Sequence, residues 1–167
     1  MGLKRWIRHG WHAMGVDGRW LDGAARERLR ARIARSETGH RGEIRLCIER
    51  ALPAAALRAG HSPRQRAAKL FGELGVWDTE ERCGVLVYLL LAERAIEVVA
   101  DRGITRVVPP AEWQALVAEL SAQLRARQRE VGLLAAIDTL DALLRRHFPV
   151  GTGARNPNEL PDEPVLR

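Results

Sequence analysis

Five carboxylates are the first residues with chemistry to offer. Asp78, Glu80 and Glu81 precede one apolar run, Asp101 follows the next, and Glu43 opens an alternating segment upstream. Clustered carboxylate oxygens suit a hard divalent cation such as calcium or magnesium. A metal held in that way could activate water for phosphoester hydrolysis. Asp101 is the candidate catalytic residue of such a site, and Asp78, Asp101, Glu43 and Glu81 are its candidate metal ligands. The competing expectation is that these acids pair with Arg82 and Arg102 on a solvated rim. No stronger catalytic pattern is present: the chain lacks GxGxxG, Walker A, GxSxG, HExxH and an EF-hand loop. His9 and His12 have a spacing a metal could use, but no third ligand stands near them. Asp138 and Asp141 border an apolar stripe and are expected to pair with a nearby arginine.

The elements decide whether the acids can meet. Residues 43–49 alternate polar and apolar, which predicts a half-buried strand. Residues 84–91 are apolar almost throughout, which predicts a central strand covered on both faces. A third strand at 95–100 follows after so short a connection that the two must form an antiparallel hairpin, spanning 83–103. Between the first two strands lie a loop containing Pro53 and Gly60 and a helix opened by Ser62-Pro63, with Ala67, Leu70, Phe71 and Leu74 inside. That order makes the first two strands a parallel crossover. Helices from Asp22 to about 37, from Pro110, and from about 130 to 147 complete the chain. The fold class is therefore α/β: a three-layer sandwich whose small mixed sheet, a parallel crossover plus an antiparallel hairpin, carries helices on both faces. In this topology Glu43, the loop 78–81 and Asp101 converge on one end of the sheet. The opposite end, beyond the carboxyl ends of the parallel strands, is where open α/β sheets bind ligands. It carries Glu49, Arg50, Glu93 and Arg94, residues that also fit a surface turn.

The N-terminus has a different character. Leu3, Trp6, Ile7, Gly10, Trp11 and Met14 follow the spacing of one helical face, with cations on the other sides and no acid before Asp17. Lys4, Arg5, Trp6, Arg8 and Trp11 are the candidate contacts with an anionic membrane surface or an acidic partner. Packing of this helix on its own domain is the equal alternative.

Composition narrows the classes further. The 167 residues suit one domain, and 46% apolar content is too high for disorder. The longest apolar run, 85–92, is ended by Glu93 and Arg94, far short of the roughly 20 residues of a spanning helix. The basic N-terminus lacks the apolar core of a secretory signal. Cys47 and Cys83 have no CxxC spacing and read as buried thiols in a reducing compartment. A cytoplasmic protein, peripheral to the inner membrane, is expected. The net charge of +6 comes mostly from arginines scattered among acids, unlike the single basic face of a nucleic-acid binder.

The hairpin and its flanks resemble a known family. Val76-Trp77-Asp78-Thr79-Glu80, Gly84-Val85-Leu86-Val87-Tyr88 and Val98-Val99-Ala100-Asp101-Arg102-Gly103-Ile104 are similar to the TPM domain family. The likeness extends to Glu43-Ile44-Arg45, Trp113, His147-Phe148-Pro149 and Asn158-Glu159-Leu160-Pro161-Asp162, the ending of a short bacterial subgroup. It implies a sheet sandwiched by helices. It also implies a range of functions: acid phosphatases among plant members, calcium binding in some, and accessory roles at membranes, in bacteria beside membrane proteins of the LemA type. Asp101 and Asp78 match the family's acidic positions, whereas Cys83 replaces the subgroup's usual asparagine. The chain is thus divided into a basic amphipathic helix at 1–18, a TPM-like α/β domain at 19–148 and a Pro-rich extended tail at 149–167, laid on the surface or loose. The first expectation for function is an accessory or interaction domain at the cytoplasmic face of a membrane. The alternative is a phosphatase using calcium or magnesium, acting on phosphomonoesters at the acidic end of the hairpin.

Overall fold

The structure, a computed structural model, describes residues 3–13, 21–151 and 156–167. Met14, the boundary at 18–19 and the side chains of Leu3, Lys4, Trp11 and His12 lie outside the described residues. The helix α1 spans Leu3–Ala13 and α2 spans Gly23–Glu37. Asp22 caps α2 by accepting from the Ala25 amide at 2.7 Å. The strand β1, Glu43–Glu49, is followed by a short helix α3, Ala54–Arg58, in the stretch expected to be loop. The helix α4, Pro63–Glu73, begins with a reciprocal capping box between Ser62 and Gln65. The hairpin comprises β2, Gly84–Leu90, and β3, Ala95–Ala100, joined by one 3-10 turn. A single turn α5, Arg102–Thr105, leads to α6, Pro110–Arg125, and α7, Arg129–His147. The chain ends in a two-residue strand β4, Val165–Leu166.

The sheet order is β3-β2-β1-β4. Parallel pairing of β1 with β2 and antiparallel pairing of β2 with β3 give the mixed sheet that the connection lengths require. The tail adds β4 parallel to the free edge of β1. Alternation divides the core into two layers. Ile44, Leu46 and Ile48 of β1, with Val85, Val87 and Leu89 of β2, pack on α2, α6 and α7. Cys47, Leu86, Tyr88 and Leu90 face the opposite layer, formed by α3, α4 and Leu160 of the tail. The three-layer sandwich is as the sequence predicts, with helices on both faces.

One strand departs from expectation. All seven residues of β1 are buried, including Glu43, Arg45 and Glu49. Its polar face is covered by α4 and by the tail, which supply partners for each of these side chains. The tail is therefore laid on the domain, not loose. Asp138 pairs with Arg32 at 2.6 Å and Asp141 with Arg145 at 2.6 Å, as expected of them. Both cysteines are free and buried, and burial pushes the Cys47 thiol up to about 12 and the Cys83 thiol up to about 11. Among the described residues no helix is long and apolar enough to cross a membrane.

Candidate functional site

Register brings the predicted acidic end together in the backbone. Glu43 pairs with Gly84, Val85 with Ala100, and the Asp101 amide donates to the Gly84 carbonyl at 2.9 Å. Two glycines make this end tight. A Cβ on Gly84 would lie 2.0 Å from the Val76 carbonyl oxygen, and one on Gly103 would lie 2.5 Å from the carbonyl oxygens of both Glu81 and Arg82. Only glycine lets the approach loop lie so close to the hairpin's end.

The carboxylates themselves take separate partners. Asp101 caps α5, accepting from the Arg102 amide at 2.6 Å. Glu81 pairs with Arg41, not with Arg82 or Arg102. Asp78 is exposed. Glu43 is buried and accepts from the tail amides of Glu159 and Leu160 at 3.2 and 3.3 Å. Among the described residues, no three or more His, Cys, Asp or Glu side chains form a group that could hold a metal ion.

A different pair of acids is brought together beneath the tail. The Glu37 carboxyl is buried, with Oε1 accepting from the Ile44 amide at 2.9 Å and Oε2 lacking a partner. Burial first, then the nearby Glu43 charge, pushes its pKa up to about 9. Burial likewise pushes Glu43 up to about 7, against the hydrogen bonds from Glu159 and Leu160. Glu37 was open to detection in the sequence. It continues the i, i+4 series Ala25, Leu29, Ile33 of the buried face of α2. Nearby, His40 is fully buried, neither ring nitrogen has a hydrogen-bond partner, and burial pushes its imidazole down to about 4.

The opposite end of the sheet is built differently from the expected surface turn. Glu49 is 1% exposed and is gripped by Arg66 through Nη2 at 2.7 Å and Nε at 3.0 Å. The Tyr88 hydroxyl donates to the same carboxylate at 2.7 Å. Glu93, in the hairpin turn, is the dock for α1. Arg5 Nε donates to it at 2.6 Å, and His9 Nε2 lies 2.8 Å from the same oxygen. The Leu52 amide donates to His9 Nδ1 at 3.0 Å, which leaves Nε2 as the protonated nitrogen facing Glu93. Arg5 also donates to the His61 carbonyl at 2.6 Å. Burial opposes ionisation of Glu93, but the bonds from His9 and Arg5 outweigh it and hold the carboxyl below its ordinary range.

This dock orients α1. His9 is 2% exposed, whereas Trp6 is 36% and Ile7 54% exposed. Residues advance by about 100° along a helix, so Ile7 lies about 200° around from Arg5. The helix packs on its own domain through its polar face and turns Trp6 and Ile7 outward. Of the predicted contact residues, Arg5 is engaged inward, Arg8 is half exposed with one guanidinium nitrogen 3.9 Å from Glu93, and Trp6 faces solvent.

The TPM domain sequence profile matches residues 17–143. No curated protein matches the chain. The fold is similar to the NMR structure of BA42 protein from the psychrophilic bacterium Bizionia argentinensis, with a TM-score of 0.76 at 21% identity. That likeness covers 92% of this chain and 99% of the other.

Proposed function

We propose that this chain, which belongs to the TPM domain family, is an accessory domain that contacts an anionic membrane surface through α1. The observation that carries the reading is the orientation of α1. A helix that merely covered a core would turn its apolar stripe inward. Here the stripe's described members, Trp6, Ile7 and Gly10, face outward, and the inward contact is an ion pair and a histidine on Glu93. Exposed tryptophan and isoleucine flanked by Lys4 and Arg8 are the residue types that lie in a lipid headgroup layer. The absence of any acid before Asp17 favours an anionic surface. A membrane-protein partner, of the LemA type suggested by the family resemblance, is the neighbouring outcome.

The test is flotation of the full chain with phosphatidylcholine vesicles, with and without phosphatidylglycerol. We expect recovery with the anionic vesicles only, falling about tenfold for Ile7→Asp and in high salt. Ile7 is exposed, so the variant should fold as the parent does. Equal recovery of parent and variant overturns the membrane contact. Recovery that requires an added membrane protein moves the contact to that partner.

The phosphatase reading has the strand register in its favour, since Asp101 and Glu43 do reach one end of the sheet. Against it stand the partners that Glu43 and Glu81 already hold. A rise in melting temperature with calcium or magnesium, lost in both Asp101→Asn and Asp78→Asn, together with metal-dependent phosphomonoester hydrolysis, would restore it.

A further inference from the structure

We infer that the free edge of β1 is a groove for an extended peptide, and that the C-terminal segment 156–167 is an exchangeable ligand bound there in cis. The inference does not rest on α1, which docks on Glu93, Leu52 and His61 and takes no part in holding the tail.

The groove recognises mostly main chain. Glu43 accepts from two consecutive amides, those of Glu159 and Leu160. Arg45 Nη1 donates to the carbonyls of Pro161 and Glu163, the latter at 2.8 Å. At the far end, the Arg167 amide donates to the Ile48 carbonyl at 3.0 Å and the Arg50 amide donates to the Arg167 carbonyl at 2.8 Å. An acid for the N–H groups and a base for the C=O groups suit any extended chain of the right direction. Selectivity comes from few side chains. Leu160 is buried beside Cys47 and Tyr88, and Asn156 donates to the carbonyls of His40 and Gly42 at 3.0 and 3.4 Å. Pro157, Pro161 and Pro164 fall where no amide is required. They favour the extended form before binding.

The segment is fastened as a ligand is, not as a core strand is. Its paired strand is two residues long. Of its side chains only Leu160 and Pro164 are buried, whereas every residue of β2 is. Such an edge element opens without unfolding the domain. When open, it leaves the Glu43–Arg45 groove ready for a partner protein's extended peptide carrying a leucine-proline anchor.

Amide hydrogen exchange on the intact chain tests the opening. The amides of Leu160 and Arg167 should exchange at least a hundredfold faster than those of β2. Exchange of both sets at one common rate overturns the inference. Occupancy in trans is tested with a fluorescein-labelled peptide of residues 156–167. It should bind the full chain carrying Leu160→Asp saturably and at least tenfold more tightly than the unaltered chain, whose own tail competes. Adding Arg45→Met should abolish that binding. No saturable binding to the Leu160→Asp chain, or binding indifferent to Arg45, overturns the inference. The exchange result stands alone if that variant does not fold.

Discussion

Arg66→Met will destabilise the fold by about 3–5 kcal/mol, the largest single-residue effect expected outside the apolar core. The reason is the residue it abandons. Glu49 is 1% exposed and has two partners, the Arg66 guanidinium and the Tyr88 hydroxyl. Without Arg66 the carboxylate stays buried with one neutral donor, and its charge is uncompensated. Tyr88→Phe removes one hydrogen bond and keeps the ion pair, so it should cost only about 1–2 kcal/mol. Replacing both charges, Arg66→Met with Glu49→Leu, should recover much of the loss, because no buried charge remains. Urea-denaturation midpoints for Arg66→Met, Glu49→Leu and the variant carrying both close the cycle. A cost below about 1 kcal/mol for Arg66→Met would show that water reaches Glu49 and that the network is not dry.

That network also marks where the sequence was legible and where it was not. The strand pairing and the central place of β2 follow from chain connectivity and an unbroken apolar run, both local signals. The buried faces of α2 and α7 follow from their spacing. The burial of Glu49 does not. Alternation along β1 places Glu43, Arg45, Cys47 and Glu49 on one face, and a polar face reads as solvated. Whether it is covered depends on partners far along the chain: Arg66 for Glu49, Pro161 for Arg45, Leu160 for Glu43. The same distance hid the dock of α1. His9 and Glu93 are separated by 84 positions, and nothing in the spacing of either points to the other. Convergence of the acidic end was legible as backbone topology, but the side chains there were not. Asp101 serves α5, and Glu81 serves Arg41.

The two ends of the sheet consequently have separate work. The carboxyl ends of β1 and β2 carry the dock for α1. If α1 lies on a membrane, the loop at 51–61 and the hairpin turn are on the membrane side, and Asp101 is at the opposite end of the sheet. Any ligand of the acidic end would then be met from the aqueous side. The tail fastens along the β1 edge between these two ends.

Glu37→Gln will make the fold less sensitive to alkaline pH. Glu37 and Glu43 are raised from an ordinary 4.5 to about 9 and about 7, chiefly by burial. The folded chain thus retains protons that the unfolded chain releases above about pH 4.5. Their stabilising contribution is whole below that pH. It diminishes as pH rises, the Glu43 part until about 7 and the Glu37 part until about 9. Glutamine keeps an acceptor for the Ile44 amide and presents a permanent donor in place of the carboxyl proton, beside Asp162. It cannot ionise, so the variant should match the parent near pH 5. Near pH 8.5 it should exceed the parent by on the order of 2 kcal/mol, roughly 4–8 °C in Tm. Melting curves of both proteins from pH 5 to 9 measure the divergence. A Tm difference that is constant across that range would mean that Glu37 ionises in the folded chain as freely as in water. The tail would then be fastened over a hydrated carboxylate rather than a dry one.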